Sequence, residues 1–126
     1  MKVATIAAVT LLSMIDVFQI ALAFGAPFGA ASWGGEHKGV LPRRLRIASG
    51  VAGFAVYPLI IVAVLDEGLY EGDLLPWNGE PMMWILAALF AIGAVANLAS
   101  RSTIERLWGP VSLAVAVCCA LIASSL

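Results

Sequence analysis

Asp16 is the one charged residue inside an apolar run of this chain, and Ser13 and Gln19 lie three residues to either side of it. On a helix, that spacing draws a polar stripe along one face. An ionisable side chain at membrane depth costs about 3 kcal/mol on insertion scales, so it faces a bundle interior or water and often marks function. Asn97 falls at the same depth on a later apolar segment, and Arg46 and Arg101 flank that level. The sequence therefore predicts one polar intramembrane cluster of Asp16, Gln19, Asn97 and Arg46 or Arg101. Its chemistry is a buried ion pair that fixes helix register, a proton- or ion-handling group, or a site for a polar ligand or headgroup.

A second group is Glu36-His37-Lys38, which holds the only histidine of the chain. A neutral-range imidazole beside a carboxylate can act as general acid or base, so Glu36 and His37 are the catalytic candidates. With no second His or Cys nearby, the residues offer no metal site, and no cofactor is expected. Cys118 and Cys119 are adjacent. On a helix their side chains diverge by ~100°, so they read as small apolar fillers and not as a disulfide. No glycine-rich phosphate loop is present, and nucleic-acid binding is not expected from so few bases.

Four apolar segments must position these groups, about 3–23, 47–65, 82–99 and 110–126, the last within a helix expected over 104–126. The chain of 126 residues is 62% hydrophobic and 12% charged. Each segment is close to the ~20 residues that cross a ~30 Å hydrocarbon core. None alternates with period two as a barrel strand would, and backbone polar groups cannot stay unpaired in lipid. The expected fold is all-α, a single polytopic four-helix membrane domain. Pairs of small residues at four-residue spacing (Ser49 and Gly53, Ala87 and Ala91, Ala116 and Ala120) would let helices approach closely. Pro58 should kink the second helix. Ser102-Thr-Ile-Glu105 reads as a capping box that starts the fourth.

The connections are sorted by charge. Lys38, Arg43, Arg44, Arg46, Arg101 and Arg106 lie in the first and third loops, while the second, 66–81, has no base and five acids: Asp66, Glu67, Glu71, Asp73 and Glu80. The positive-inside rule puts loops 24–46 and 100–103 in the cytoplasm, and the acidic loop and both termini outside. Arg43, Arg44 and Arg46 then form a strip that signals topology and meets anionic headgroups. The acidic loop reads as solvated, since Glu71-Gly-Asp73 is only a fragment of a calcium-loop pattern. A competing reading treats residues 1–23 as a signal peptide cleaved after Ala21-Leu-Ala23, which would invert the charge bias. Loop one has five glycines, two prolines and bulky apolar residues. That composition suits an ordered loop folded onto the helix ends better than a solvated linker.

The run Gln19-Ile-Ala-Leu-Ala-x-Gly-Ala-Pro-x-Gly, followed by Trp33-Gly-Gly-x-His37-x-Gly-Val-Leu-Pro42, resembles a family of small bacterial four-helix membrane proteins, as does Asn97-Leu-x-Ser-Arg-Ser-x-x-Glu-Arg-x-x-Trp-Gly-Pro110. The resemblance implies a bacterial plasma membrane protein with important first and third loops, and carries no activity. The leading expectation is a non-enzymatic scaffold or accessory subunit whose partners are membrane lipids and a second copy or another membrane protein. A small oligomeric transporter or channel using Asp16 is the alternative, and a lipid-directed enzyme using Glu36 and His37 is a third.

Overall fold

The computed structural model describes residues 2–71, 74–76 and 78–126. It contains four long helices, each long and apolar enough to cross a membrane: α1 Lys2–Ala23, α2 Arg43–Leu69, α3 Gly79–Leu98 and α4 Trp108–Ser125. No strand occurs among the described residues. α1 packs against both α2 and α4, α3 lies along α4 in the most extensive interface, and only the second half of α2 meets α3.

Several bounds depart from the sequence expectation, each for a local reason. α2 runs from 43 to 69 and not from 47 to 65. Its start is set by Pro42, whose extended ψ of 157° breaks the chain just before Arg43. The basic strip Arg43, Arg44 and Arg46 is therefore helical, the first turn of α2. At the other end Asp66 and Glu67 still belong to the helix, and both are buried. The expected solvated loop is thus corrected at these two acids. Asp66 accepts the Leu74 and Leu75 amides at 2.7 and 3.2 Å, so its carboxylate ties down the chain after the helix end. Asp73 lies outside the described residues.

At Pro58 the helix changes its winding. The residues before it, Ala52–Val56, form a π-helical segment, in which the Tyr57 amide reaches back to the Ala52 carbonyl. One extra residue in a turn is a usual way to absorb a proline inside a continuous helix. Gly53 sits in this segment against α1, where a Cβ would lie 2.6 Å from Ile20 Cγ1. Ser49 is fully buried on the same helix. In α3 and α4, Ala87 and Ala116 are buried, while Ala91 is exposed. The capping box is half formed: the Glu105 amide donates to Ser102 Oγ at 3.3 Å, but the Glu105 carboxylate turns elsewhere. A 3₁₀ turn, Glu105–Leu107, leads into α4 at Trp108.

The two halves of the bundle differ. At the loop-two end, Leu12, Val64, Met83, Val115, Cys119 and Ile122 form an apolar core, flanked by the buried Thr5, Asp66 and Glu67. Association of helices within lipid rests on such van der Waals contact, because lipid tails are as apolar as the side chains they replace. At the other end loop one is fastened to α2 through Trp33 to Ser49, and Arg46 of α2 reaches the end of α1 at Ala23.

Candidate functional site

Loop one is an ordered cap. Two 3₁₀ turns, Gly29–Ala31 and Trp33–Gly35, fold back over the helix ends. The Gly29 amide donates to the Gly39 carbonyl at 2.8 Å, and the His37 carbonyl presses so close to Gly29 that no side chain would fit there. Gly34 adopts φ +83°, a region that suits glycine. Three contacts then bind the cap to the helices. Trp33 Nε1–H donates to Ser49 Oγ on α2 at 2.9 Å. The Gly34 amide donates to Glu105 Oε2 at 2.9 Å. Ser102 Oγ–H donates to the Ala30 carbonyl. Gly35 is so tight against Ser102 Cβ that loops one and three form one unit.

Beneath this cap lies a cavity of about 270 Å³. α1 contributes Phe18 and Gln19, α2 Tyr57, α3 Asn97, α4 Trp108 and Ser112. The cap supplies Ser32 and Trp33, and loop three supplies Glu105. No lysine or arginine lines it. The Asn97 amide donates to Ser112 Oγ at 3.4 Å. Gln19 Oε1 is buried and has no hydrogen-bond partner, which inside a protein costs about 1–3 kcal/mol. Phe18 and Trp108 stack at 4.9 Å between centroids, tilted by 45°. These two rings also wall a neighbouring apolar cleft of about 490 Å³, which Phe28 and Leu107 help line.

The sequence-derived cluster is thus brought together only in part. Gln19 and Asn97 face one cavity. Asp16, a turn below Gln19, is close enough to Tyr57 to interact with it electrostatically, and its buried Oδ1 has no hydrogen-bond partner. Neither base reaches it. Arg46 Nε–H donates to the Ala23 carbonyl at 3.2 Å, and its guanidinium lies beside Gly25. A cation at the C-terminal end of α1 is favourably placed against the helix dipole, and that position holds it away from the bundle axis. Arg101 is exposed and lines a surface cleft with Glu36, Lys38 and Ser102. The expected ion pair is not formed, because both guanidinium groups are engaged or exposed beyond the helix ends. Glu36 is exposed; His37 is half-buried and does not line that cleft with it. Arg43 and Arg44 are exposed at the start of α2, open to a headgroup layer.

Of the lining, only Gln19 and Asn97 were anticipated from sequence; the aromatic residues Phe18, Trp33, Tyr57 and Trp108 were not, nor were Ser32, Ser112 and Glu105, the last read only as half of a local cap. The S-x-x-E spacing was the visible signal for Glu105, and an acid six residues before an apolar run could equally have marked a buried partner for a loop amide. The fold and the cavity define a small polytopic membrane protein with a polar chamber at one end. No protein-family model matches this chain, and no curated protein or solved structure is significantly similar to it.

Proposed function

We propose that this chain is a non-enzymatic membrane protein that binds a small polar molecule or headgroup in the chamber beneath loop one. The observation that carries this reading is the space itself: about 270 Å³ beneath loop one, lined from all four helices and both neighbouring loops by Gln19, Asn97, Ser112 and Glu105 among aromatic rings. That volume lies just below the ~300–1,000 Å³ of drug-sized pockets, which suits a headgroup or small metabolite. A continuous conduction path would need polar lining through the core half as well, and Leu12, Val64 and Ile122 fill it. The six bases of the first and third loops support a cytoplasmic placement of the chamber in a bacterial plasma membrane, with both termini outside.

Native mass spectrometry of the protein extracted in mild detergent tests the binding role. The wild type is expected to carry a bound small molecule or lipid that the double variant Gln19→Leu, Asn97→Leu loses. Identical occupancy in the two proteins would overturn the reading. Cysteines placed at Lys38 and Glu71 test the orientation: a membrane-impermeant thiol reagent should label position 71 from outside and position 38 only after the membrane is opened.

A further inference from the structure

We infer that the group held in the chamber is an organic ammonium. This rests on the binding role proposed above and adds the chemical class of the ligand. Four aromatic rings line the cavity: Phe18, Trp33, Tyr57 and Trp108. They come from α1, the cap, α2 and α4, so they surround the space from different sides instead of forming a stripe on one helix. Aromatic faces carry negative quadrupole potential and attract substituted ammonium groups strongly once water is excluded. Glu105 adds a carboxylate at the same wall, buried and with one oxygen committed to Gly34.

The charged groups point the same way. Two of the donors at this wall are already spent, Trp33 Nε1–H on Ser49 and the Asn97 amide on Ser112. Gln19 Oε1 is a buried acceptor without a partner beside this wall, and Tyr57 and Ser112 add hydroxyl groups to it. The bases that might have balanced Glu105 are turned away: Arg46 toward the Ala23 carbonyl, Arg101 and Lys38 into the surface cleft. A phosphate or carboxylate ligand would meet the Glu105 carboxylate and no base. A cation supplies what the site lacks. Its volume of about 270 Å³ accepts a substituted ammonium without room for a large scaffold. The ammonium can belong to a lipid headgroup, since the apolar cleft shares the Phe18–Trp108 wall, or to a free amine.

The test uses the full-length protein in nanodiscs of phosphatidylglycerol, read by tryptophan emission and calorimetry. The probes are choline and 3,3-dimethyl-1-butanol, which has the same shape with carbon in place of the charged nitrogen. Choline is expected to bind at least about tenfold more tightly, the scale of one or two desolvated cation–π contacts. Glu105→Gln keeps an acceptor for Gly34 and should bring the preference down to about threefold or less, as should Trp108→Leu, which leaves all charges in place. Retained binding of 3,3-dimethyl-1-butanol and an unchanged helical spectrum show that each variant is folded, so that a collapsed preference reports on the ammonium. Nanodiscs made with phosphatidylcholine in place of phosphatidylglycerol separate the sources. Loss of choline binding there assigns the site to the lipid headgroup, and unchanged binding assigns it to the free amine. Equal affinity for the two probes, or tighter binding of 3,3-dimethylbutyrate, overturns the ammonium assignment and leaves the binding role standing. If no probe binds and no lipid is retained, both fall.

Discussion

The Glu105 carboxylate accepts the backbone amide of Gly34 at 2.9 Å, joining loop three to loop one across 71 positions of sequence. The contact explains why the capping box stays half made. Glu105 lends its amide to Ser102 locally and its side chain to a loop that arrives from the other side of the bundle. A hydrogen bond to a charged group is worth about 1.5–3 kcal/mol when buried. Here it both closes the chamber roof and sets a carboxylate at its wall.

Glu105→Ala is therefore expected to release the cap while leaving the helices in place. Loss of about 1.5–3 kcal/mol locally corresponds to about 10- to 150-fold faster exchange of the Gly34 amide. Hydrogen exchange by mass spectrometry over peptides 24–46, with circular dichroism as the control, measures it. Trypsin cleavage after exposed Lys38 should accelerate in parallel. Unchanged exchange in loop one would show that the cap does not depend on this bond. Glu105→Gln, which keeps an acceptor, should fall between the two.

Trp33 is the second fastening, through Ser49. Ser49→Ala should cost about 0.5–1.5 kcal/mol, the usual net value of such a bond, without disturbing the close approach of α1 and α2. In a protein with Trp77, Trp84 and Trp108 changed to Phe, Trp33 is the only tryptophan and is excited selectively at the red edge of the indole band. Its emission is expected to shift to the red in the Ser49→Ala protein, as the indole gains water. An identical spectrum would mean that the indole is held by the cap alone.

The helices could be read from the sequence because lipid leaves a chain so few choices. A run of ~20 apolar residues has to bond its own backbone, and four such runs are visible without any partner. The depth of Gln19 and Asn97 was equally readable, and both reach the chamber. What could not be read was where long side chains end. Arg46 and Arg101 were each within reach of Asp16 by sequence position, but one turned back to an α1 carbonyl and the other outward. The same holds for Asp66 and Glu67. Charge alone placed them in water, whereas the amides of Leu74 and Leu75 and the closeness of Gly79 drew them inside. Backbone donors in a loop have no signature in the sequence, and so neither did the burial of the acids they bind.

Asp66 carries that lesson into a measurement. Asp66→Ala leaves two loop amides facing a buried space without an acceptor, at about 1–3 kcal/mol for each unsatisfied group. Glu71→Ala, at an exposed neighbour, should change stability by less than about 0.5 kcal/mol. Thermal unfolding in detergent compares the two directly, and similar shifts would contradict the assigned role of Asp66. Asp66→Asn keeps one acceptor oxygen and should lie between them.

Glu67 and Gly79 give the sharpest test of packing at the loop-two end. A Cβ on Gly79 would overlap the Glu67 carboxyl group itself, so the first residue of α3 has to be glycine while Glu67 keeps this position. The placement favours both partners: a carboxylate near the start of a helix meets the positive end of its dipole, worth about 0.3–1 kcal/mol when exposed and up to ~2 when partly buried. Glu67 is only 8% exposed, and its Oε1 has no hydrogen-bond partner, so the side chain cannot simply swing out without moving its neighbours. Gly79→Ala should therefore destabilise by about 1–3 kcal/mol, the range for forcing atoms into a filled site. Glu67→Ala removes the obstructing group, and in that background Gly79→Ala should cost nothing or add a few tenths of a kcal/mol, since alanine is the better helix former. The double-mutant cycle then yields a coupling of about 1–3 kcal/mol between two residues twelve positions apart. Additive effects would mean that the close approach relaxes cheaply, and that glycine stands at the start of α3 for some reason other than Glu67.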